Sequence, residues 1–418
     1  MASIKLKYGR SHYYFEFDAE RFDVLEPAST PGPLTDLEIN ERLDAPIGTP
    51  AVEEMVRPDD KVLIVVPDAT RSAACGQAVN LLVRRLIANG SQAFDISIIF
   101  ATGIHRAVTD EEKDLILTPF IAQRIKTLDH RPRDIARITR LGETSTGIPV
   151  ELNTALVETD HVILIGAVAF HYFAGFTGGR KLICPGLGSS RTVSGTHKLA
   201  FDCDNLGRRK GVGTGLLDGN PVHEAFVEAA SKVNTAFCIN TIVNDEGALT
   251  GVYCGDLIES HRKACDAYAA AHTVDIAEKR DLVIASCGGL PYDIDLIQAH
   301  KTIEAASHAC RDGGTLVVLA QCGEGLGRAD LLNWFEAADS VALARMLCEK
   351  YQVNGQTAWS LLKMAERFDL RLVTDLPEQK VERTRMKRYE SLAAALKGLE
   401  DRSGYVMPHG ATNRIVIS

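Results

Sequence analysis

No segment of this chain is long and apolar enough to span a bilayer as a helix. Such a span takes about 20 consecutive apolar residues, whereas the most apolar runs here, such as Val162 to Phe170, are strand-sized and end in polar or glycine-rich sequence. An apolar signal region is missing too, since Lys5, Lys7 and Arg10 are interleaved with polar residues ahead of Tyr13 to Phe17. The expected location is therefore cytoplasmic, with no membrane partner. There is no Cys-x-x-Cys pair, so the ten scattered cysteines read as reduced thiols rather than zinc ligands or bridges. Excess positive charge is absent: the net charge of −9 speaks against a general nucleic-acid role. Low-complexity segments and repeats of solenoid period are also missing.

What remains is ordinary globular composition, 45% hydrophobic and 24% charged. At 418 residues the chain exceeds what one core usually supports, which predicts two domains. The pattern of runs is α/β. Lys61 to Val66 is an apolar, β-branched run that stops at Pro67 and Asp68, as a buried parallel strand does at a sheet edge. Gln77 to Ala88 has helical spacing and ends at Asn89-Gly90. Phe94 to Phe100 is a second strand, opening into Ala101-Thr102-Gly103-Ile104-His105, after which Thr109 and Glu112 have capping-box spacing and start a helix at Asp110. A third strand, His161 to Phe170, discharges into the loop from His171 to Lys181.

Three strands thus deliver polar residues just beyond their carboxyl ends, where open α/β sheets place ligands. From Asp281 the rhythm restarts: Leu282 to Ser286 a strand, Asp293 to His308 a helix, Thr315 to Ala320 a strand. The stretch from Asp256 to Glu278, a helix rich in alanine followed by charged residues, reads as the hinge region, and the tail, Tyr405 to Ser418, as strand-like sequence that could return to either domain.

Each chemical residue has a plain reading beside the functional one. Gly178-Gly179-Arg180-Lys181 is no P-loop, for it lacks the four-residue spacer and the magnesium-binding hydroxyl. It offers a close-approaching backbone with two cations, either an anion site or an ordinary loop. His105, His171 and His197 can carry protons or bind metal. Their spacing is too wide for a helical zinc motif, so any one of them could be structural. Asp68-Ala69-Thr70-Arg71 could orient a histidine and grip an anion, or merely cap a helix. Gln298 and Lys301 share one helix face, as solvated pairs also do. His223, His261, His300 and His308 carry no loop signature and read as structural or surface residues.

Asp68-Ala69-Thr70-Arg71, Thr102-Gly103-Ile104-His105, His171 with Gly178-Gly179-Arg180-Lys181, Gly195-Thr196-His197 and Gln298-x-x-Lys301 occur in that order over most of the chain. Together they resemble the lactate racemase family. The resemblance implies two α/β domains with the active site in the cleft between them, and a nickel-pincer nucleotide cofactor made by separate maturation proteins. On this reading residues 1–275 form the cofactor-binding domain, which the tail 405–418 could join, and 276–404 form a domain closing over the substrate. The resemblance further implies that Lys181 carries the cofactor through a thioamide and that His197 coordinates its nickel. Asp68, Ala69, Thr70 and Arg71 would line the cofactor. His105 and His171 would be the acid–base pair, and Arg71, Gln298 and Lys301 would hold a substrate carboxylate. The implied reaction is racemisation or epimerisation of a 2-hydroxy acid by reversible hydride transfer, in a chain that could be a homo-oligomer.

One position departs from the family pattern. A tyrosine precedes the glutamine in lactate racemases, whereas Ile297 stands here, which points away from lactate towards a longer, aromatic or sugar-derived 2-hydroxy acid. Two rival readings use the same residues. One is a hydrolase or lyase with a plain divalent metal on His105, His171 and His197; the other is a non-catalytic nucleotide- or anion-binding protein.

Overall fold

A computed structural model of the chain describes every residue except 28–30, 70–73 and 245. It divides into two compact units. The first holds a six-stranded sheet in the order Leu249–Gly255, Thr235–Val243, His161–Ala167, Val62–Pro67, Ile96–Ala101, Lys126–Asp129. Neighbours run parallel except for Leu249–Gly255, which is antiparallel at one edge. Every residue of Val62–Pro67 is buried. This is why the run is apolar throughout rather than alternating: helices and loops cover both faces of a parallel sheet. Cys75–Ala88 makes the crossover, burying Val79, Leu82, Val83 and Leu86 against one face. The expected capping box is present, with Thr109 accepting from the Glu112 amide at the start of Asp110–Leu117.

The second unit carries another six-stranded sheet, ordered Lys387–Tyr389, Asp369–Val373, Cys310–Leu319, Arg280–Ser286, Gly404–Met407, Phe22–Val24, with all neighbours parallel. This membership differs from the sequence boundary at residue 275. The N-terminal strands belong with the C-terminal sheet, because Phe22–Val24 pairs with Gly404–Met407 and Leu6, Tyr8, Phe17 and Phe22 pack on Leu282, Ile284, Val317 and Leu319. The tail returns here and does not join the first unit: Arg414–Ile417 lies parallel to Thr273–Ile276. The alanine-rich helix expected in the hinge region is Glu259–His272 and runs into that strand.

Phe201–Arg209 also belongs to this second unit, although the chain before and after it does not. Phe201 meets Trp359 edge-on at 5.0 Å, and Arg208 pairs with the buried Glu304 at 2.6 Å. Cys203 and Cys348 are joined by a disulfide with their Cα atoms 5.6 Å apart. That corrects the expectation of ten reduced thiols. The sequence separation of 145 between the two cysteines hides a proximity created by the insertion of this short hairpin; the other eight cysteines are free and buried. No helix among the described residues is long and apolar enough to cross a membrane.

Buried neutral imidazoles give the fold an acid sensitivity. Burial pushes His130 down to about 4, His223 to about 3 and His300 to about 4, from an ordinary value of 6.5. Because these folded values lie below the unfolded ones, the unfolded chain binds protons that the folded chain refuses. Stability is therefore complete above about pH 6.5 and falls as the pH drops towards about 4, by up to about 1.4 kcal/mol per imidazole per pH unit. The melting temperature should decline steadily over that window. A flat profile there would show that these rings are charged or solvated.

Candidate active site

The central strand Val62–Pro67 has Ile96–Ala101 on one side and His161–Ala167 on the other. The chain therefore winds outward in one direction and then in the opposite one, and loops leaving either side of such a switch point part to form a crevice. Asp68 follows the central strand, Thr102 to His105 its first neighbour, and Val168 to His171 its second.

His105 is fixed by Asp68, whose Oδ2 lies 2.7 Å from Nδ1. Asp68 is buried, and an ionised carboxylate can only accept, so Nδ1 carries the proton and Nε2 is left as a base. The half-exposed His105 ring retains access to a ligand. Its loop turns back through a hydrogen bond from its own amide to Thr102 O at 2.9 Å, and is tied to the next loop by the Gly103 amide donating to Gly186 O at 2.8 Å.

His171 is buried and accepts from the Ala174 amide at Nδ1, 3.3 Å away. Its ring meets Phe173 edge-on at 4.4 Å. Phe173 is the common platform of the site: the His197 ring lies 5.1 Å from it and Lys181 Nζ 5.7 Å from its centroid. Phe226, on the helix Pro221–Ala230, closes the other side, 5.7 Å from both His197 and Lys181 Nζ. Three of the candidates thus gather around two buried aromatic faces, where a cation or a flat ring is well accommodated.

His197 sits in the last turn of Ser190–Lys198, and its Nδ1 donates to Val193 O at 2.8 Å. That bond leaves the Nε2 lone pair for another partner. Burial first, then the charges of Lys181 and His105, hold its protonation down to about 3, so the ring is neutral at physiological pH. The influence of both groups also means that His105 and Lys181 lie within electrostatic reach of His197.

Lys181 is on a single 3₁₀ turn, Gly179–Leu182, and the glycines before it are required. Gly179 has φ +49°, and a Cβ there would stand 2.7 Å from the His261 ring; an L side chain would meet both strain and a clash.

Two family models match, "Lactate racemase N-terminal domain" over residues 8–208 and "Lactate racemase C-terminal domain" over 276–411. The chain belongs to the lactate racemase family. It is an isomerase on that ground, and the relatives agree. A lactate racemase of Thermoanaerobacterium thermosaccharolyticum is 29% identical over 340 residues, covering 80% of this chain and 78% of the relative. One of Lactiplantibacillus plantarum is 30% identical over 331 residues, covering 78% and 76%. The solved lactate racemase apoprotein of the former organism superimposes with a TM-score of 0.89 at 27% identity, covering 99% of this chain and all of that one. A Thermotoga maritima protein shares the fold, with a TM-score of 0.73 at 20% identity over 93% of this chain and 100% of its own.

Within this racemase-family chain the first unit brings together Asp68, His105, His171, Lys181 and His197. Ala69 follows Asp68 and is half-buried, while Thr70 and Arg71 lie outside the described residues. Gln298 and Lys301 belong to the second unit, on the helix Leu296–Ser307, where Asp295 caps the Gln298 amide and Lys301 Nζ donates to Gln298 Oε1. Ile297, beside them, packs against that unit's core.

One expectation changes. Arg180 was read as a second cation beside the glycines, but it is 1% exposed and turned inward onto backbone carbonyls, so Lys181 alone of the two faces the aromatic platform. Phe173 and Phe226 were not singled out from sequence. The Tyr172-Phe173 pair directly after His171 was the available signal, while Phe226 looks like any core position of an amphipathic helix.

Asp68→Asn tests the orientation of His105. The amide can donate to Nδ1 and favour the wrong tautomer, so kcat should fall about 10- to 100-fold. Wild-type turnover in this variant would show that the 2.7 Å contact has no catalytic consequence.

Proposed function

We propose that the chain inverts the C2 centre of a 2-hydroxy acid by reversible hydride transfer, using a nickel-pincer nucleotide held at Lys181 and His197. The observation that carries this reading is the gathering of His171, His197 and Lys181 around Phe173, with His105 held by Asp68. The donor set suits the cofactor. A pincer-held nickel with its own sulfur ligands needs one neutral imidazole from the chain, and His197 presents a lone pair at Nε2. The attachment needs one amine, and Lys181 has its own flanked by two aromatic faces. Among the described residues no group of three His, Cys, Asp or Glu side chains is arranged to hold a metal, which weighs against a plain divalent-metal hydrolase.

When bound, the cofactor supplies the acceptor and donor of hydride. The chain's own groups move the proton. One histidine takes the hydroxyl proton as the C2 hydrogen leaves with its electron pair, giving a planar 2-keto acid. After hydride returns to the opposite face, the other histidine protonates the new alkoxide, and inversion is complete. His105 suits the base role because Asp68 lies against the positive charge that its ring acquires. Gln298 and Lys301 are assigned to the substrate carboxylate, a charge-assisted bond that fixes orientation while the keto acid turns. The substrate is a 2-hydroxy acid other than lactate, because Ile297 supplies no phenol to it, and loading depends on maturation proteins.

The test is to load the chain with mature cofactor and follow single enantiomers of aliphatic, aromatic and sugar-derived 2-hydroxy acids by chiral chromatography. Loss of optical purity for at least one acid is expected. A loaded chain that inverts none of a broad panel would contradict the proposal.

A further inference from the structure

The side chain of Arg180 is a guanidinium shut inside the protein, with no carboxylate among its partners in the described residues. It is 1% exposed, and burial lowers its ordinary value to about 10, leaving it charged at neutral pH. Buried cations without a counter-ion are rare because they lose hydration, so the site must repay it with directed acceptors. Nη2 donates to Ala174 O at 2.9 Å, and Nη1 is within 3.4 Å of Thr177 O and 3.3 Å of Gly178 O. Nη1 also lies 2.9 Å from His261 Nε2, which is itself 2.8 Å from Thr177 O. The neutral Nε2 serves one of these two neighbours at a time, accepting from Nη1 or donating to Thr177 O, while Arg180 Nε has no acceptor among the described residues. His261, on the helix Glu259–His272, is fully desolvated and held neutral by burial and by Arg180.

Those three carbonyls belong to one loop. His171 stands at its beginning and Lys181 at its end, and the same ring, Phe173, contacts both. We propose that Arg180 is a positioning residue of this racemase-family site: its guanidinium ties the backbone between His171 and Lys181 into the shape that sets the acid–base histidine against the cofactor-bearing lysine. The inference rests on the functional reading above for the roles of the two residues it positions, while the contacts themselves are independent of that reading. The two Nη groups of the planar fork reach several carbonyls at once. An ammonium on a flexible stem lacks that fixed planar fork, and a thioether makes no such bond. Gly179 reinforces the arrangement, since its lack of a Cβ is what lets His261 stack beneath the turn.

The experiment compares wild type, Arg180→Lys and Arg180→Met, each co-produced with the maturation proteins. It reads kcat and KM for an inverted acid, together with amide hydrogen exchange on the apo chain. For Arg180→Lys we expect kcat to fall about 100-fold, the effect of misplacing reacting groups by about 1 Å. KM should stay within about twofold, because the residues assigned to the carboxylate are elsewhere. Exchange should rise in the loop from His171 to Leu182 and not across the rest of the unit. Arg180→Met should lower kcat further and raise loop exchange further, and if it does not fold, Arg180→Lys decides. Wild-type kcat and loop exchange in Arg180→Lys would overturn the proposal. So would exchange raised throughout the unit, or a KM that rises in step with the loss of kcat, since those mark general destabilisation. A wild type that loads but inverts no acid would count against the functional reading instead, and the loop exchange would still judge the role of Arg180.

Discussion

Replacing Lys181 with alanine is expected to leave a folded protein that no longer retains the cofactor. The amine sits over the faces of Phe173 and Phe226, a setting that a cation and a covalent adduct both satisfy, so charge and attachment must be separated. Lys181→Arg does this: it keeps the cation over the rings and removes the nucleophilic amine. Both variants, co-produced with the maturation proteins, should show the mass of the bare chain and turnover at background, while wild type carries the added mass through denaturation. The position is half-buried rather than part of a packed core, so the melting temperature should move little. A chain that keeps its cofactor without the lysine would refute the attachment.

Replacing His105 or His171 with asparagine is expected to lower kcat by about 100- to 10,000-fold, the usual worth of a positioned acid or base. A racemase has an equilibrium constant of one, so each variant must keep the same kcat/KM for the two enantiomers. The asymmetry should appear in a single turnover. Each variant should still form bound 2-keto acid quickly from the enantiomer whose hydroxyl faces the remaining histidine, and slowly from the other. His105→Asn and His171→Asn should show opposite preferences. Identical preferences would mean that the two rings do not serve opposite faces. The structure gives reason to expect different partners for them: His105 is fixed by a carboxylate, whereas His171 accepts a backbone amide.

The sheet that positions these residues was legible in the sequence because parallel strands bury both faces and read as unbroken apolar runs. Val62–Pro67, Ile96–Ala101 and His161–Ala167 were each visible in this way, and each stops where a polar loop begins. The capping box at Thr109 was visible for the same local reason. What could not be read was long-range. Phe22–Val24 pairs with a strand nearly the whole chain away, and nothing local in its three residues names that partner. The hairpin Phe201–Arg209 leaves its neighbours in sequence, and the disulfide from Cys203 follows from that departure. The orientation of Arg180 was hidden because a cation beside glycines looks the same whether it faces a ligand or the backbone of its own loop. His261 is the residue that turns it inward, 81 positions away. Family motifs supplied His105, His171, Lys181 and His197, but not the aromatic platform that joins them, since Phe173 and Phe226 carry no motif chemistry.

The central claim is hydride rather than proton transfer at C2, and an isotopic label tests it most directly. A 2-hydroxy acid deuterated at C2, inverted by the loaded enzyme in ordinary water, should emerge as the opposite enantiomer with its deuterium in place, because hydrogen that moves with its electron pair and returns within the closed site does not mix with solvent. Product that has lost the label to water at the rate of inversion would mean that a base removes C2 hydrogen as a proton, and the account given for Lys181, His197 and the histidine pair would be wrong.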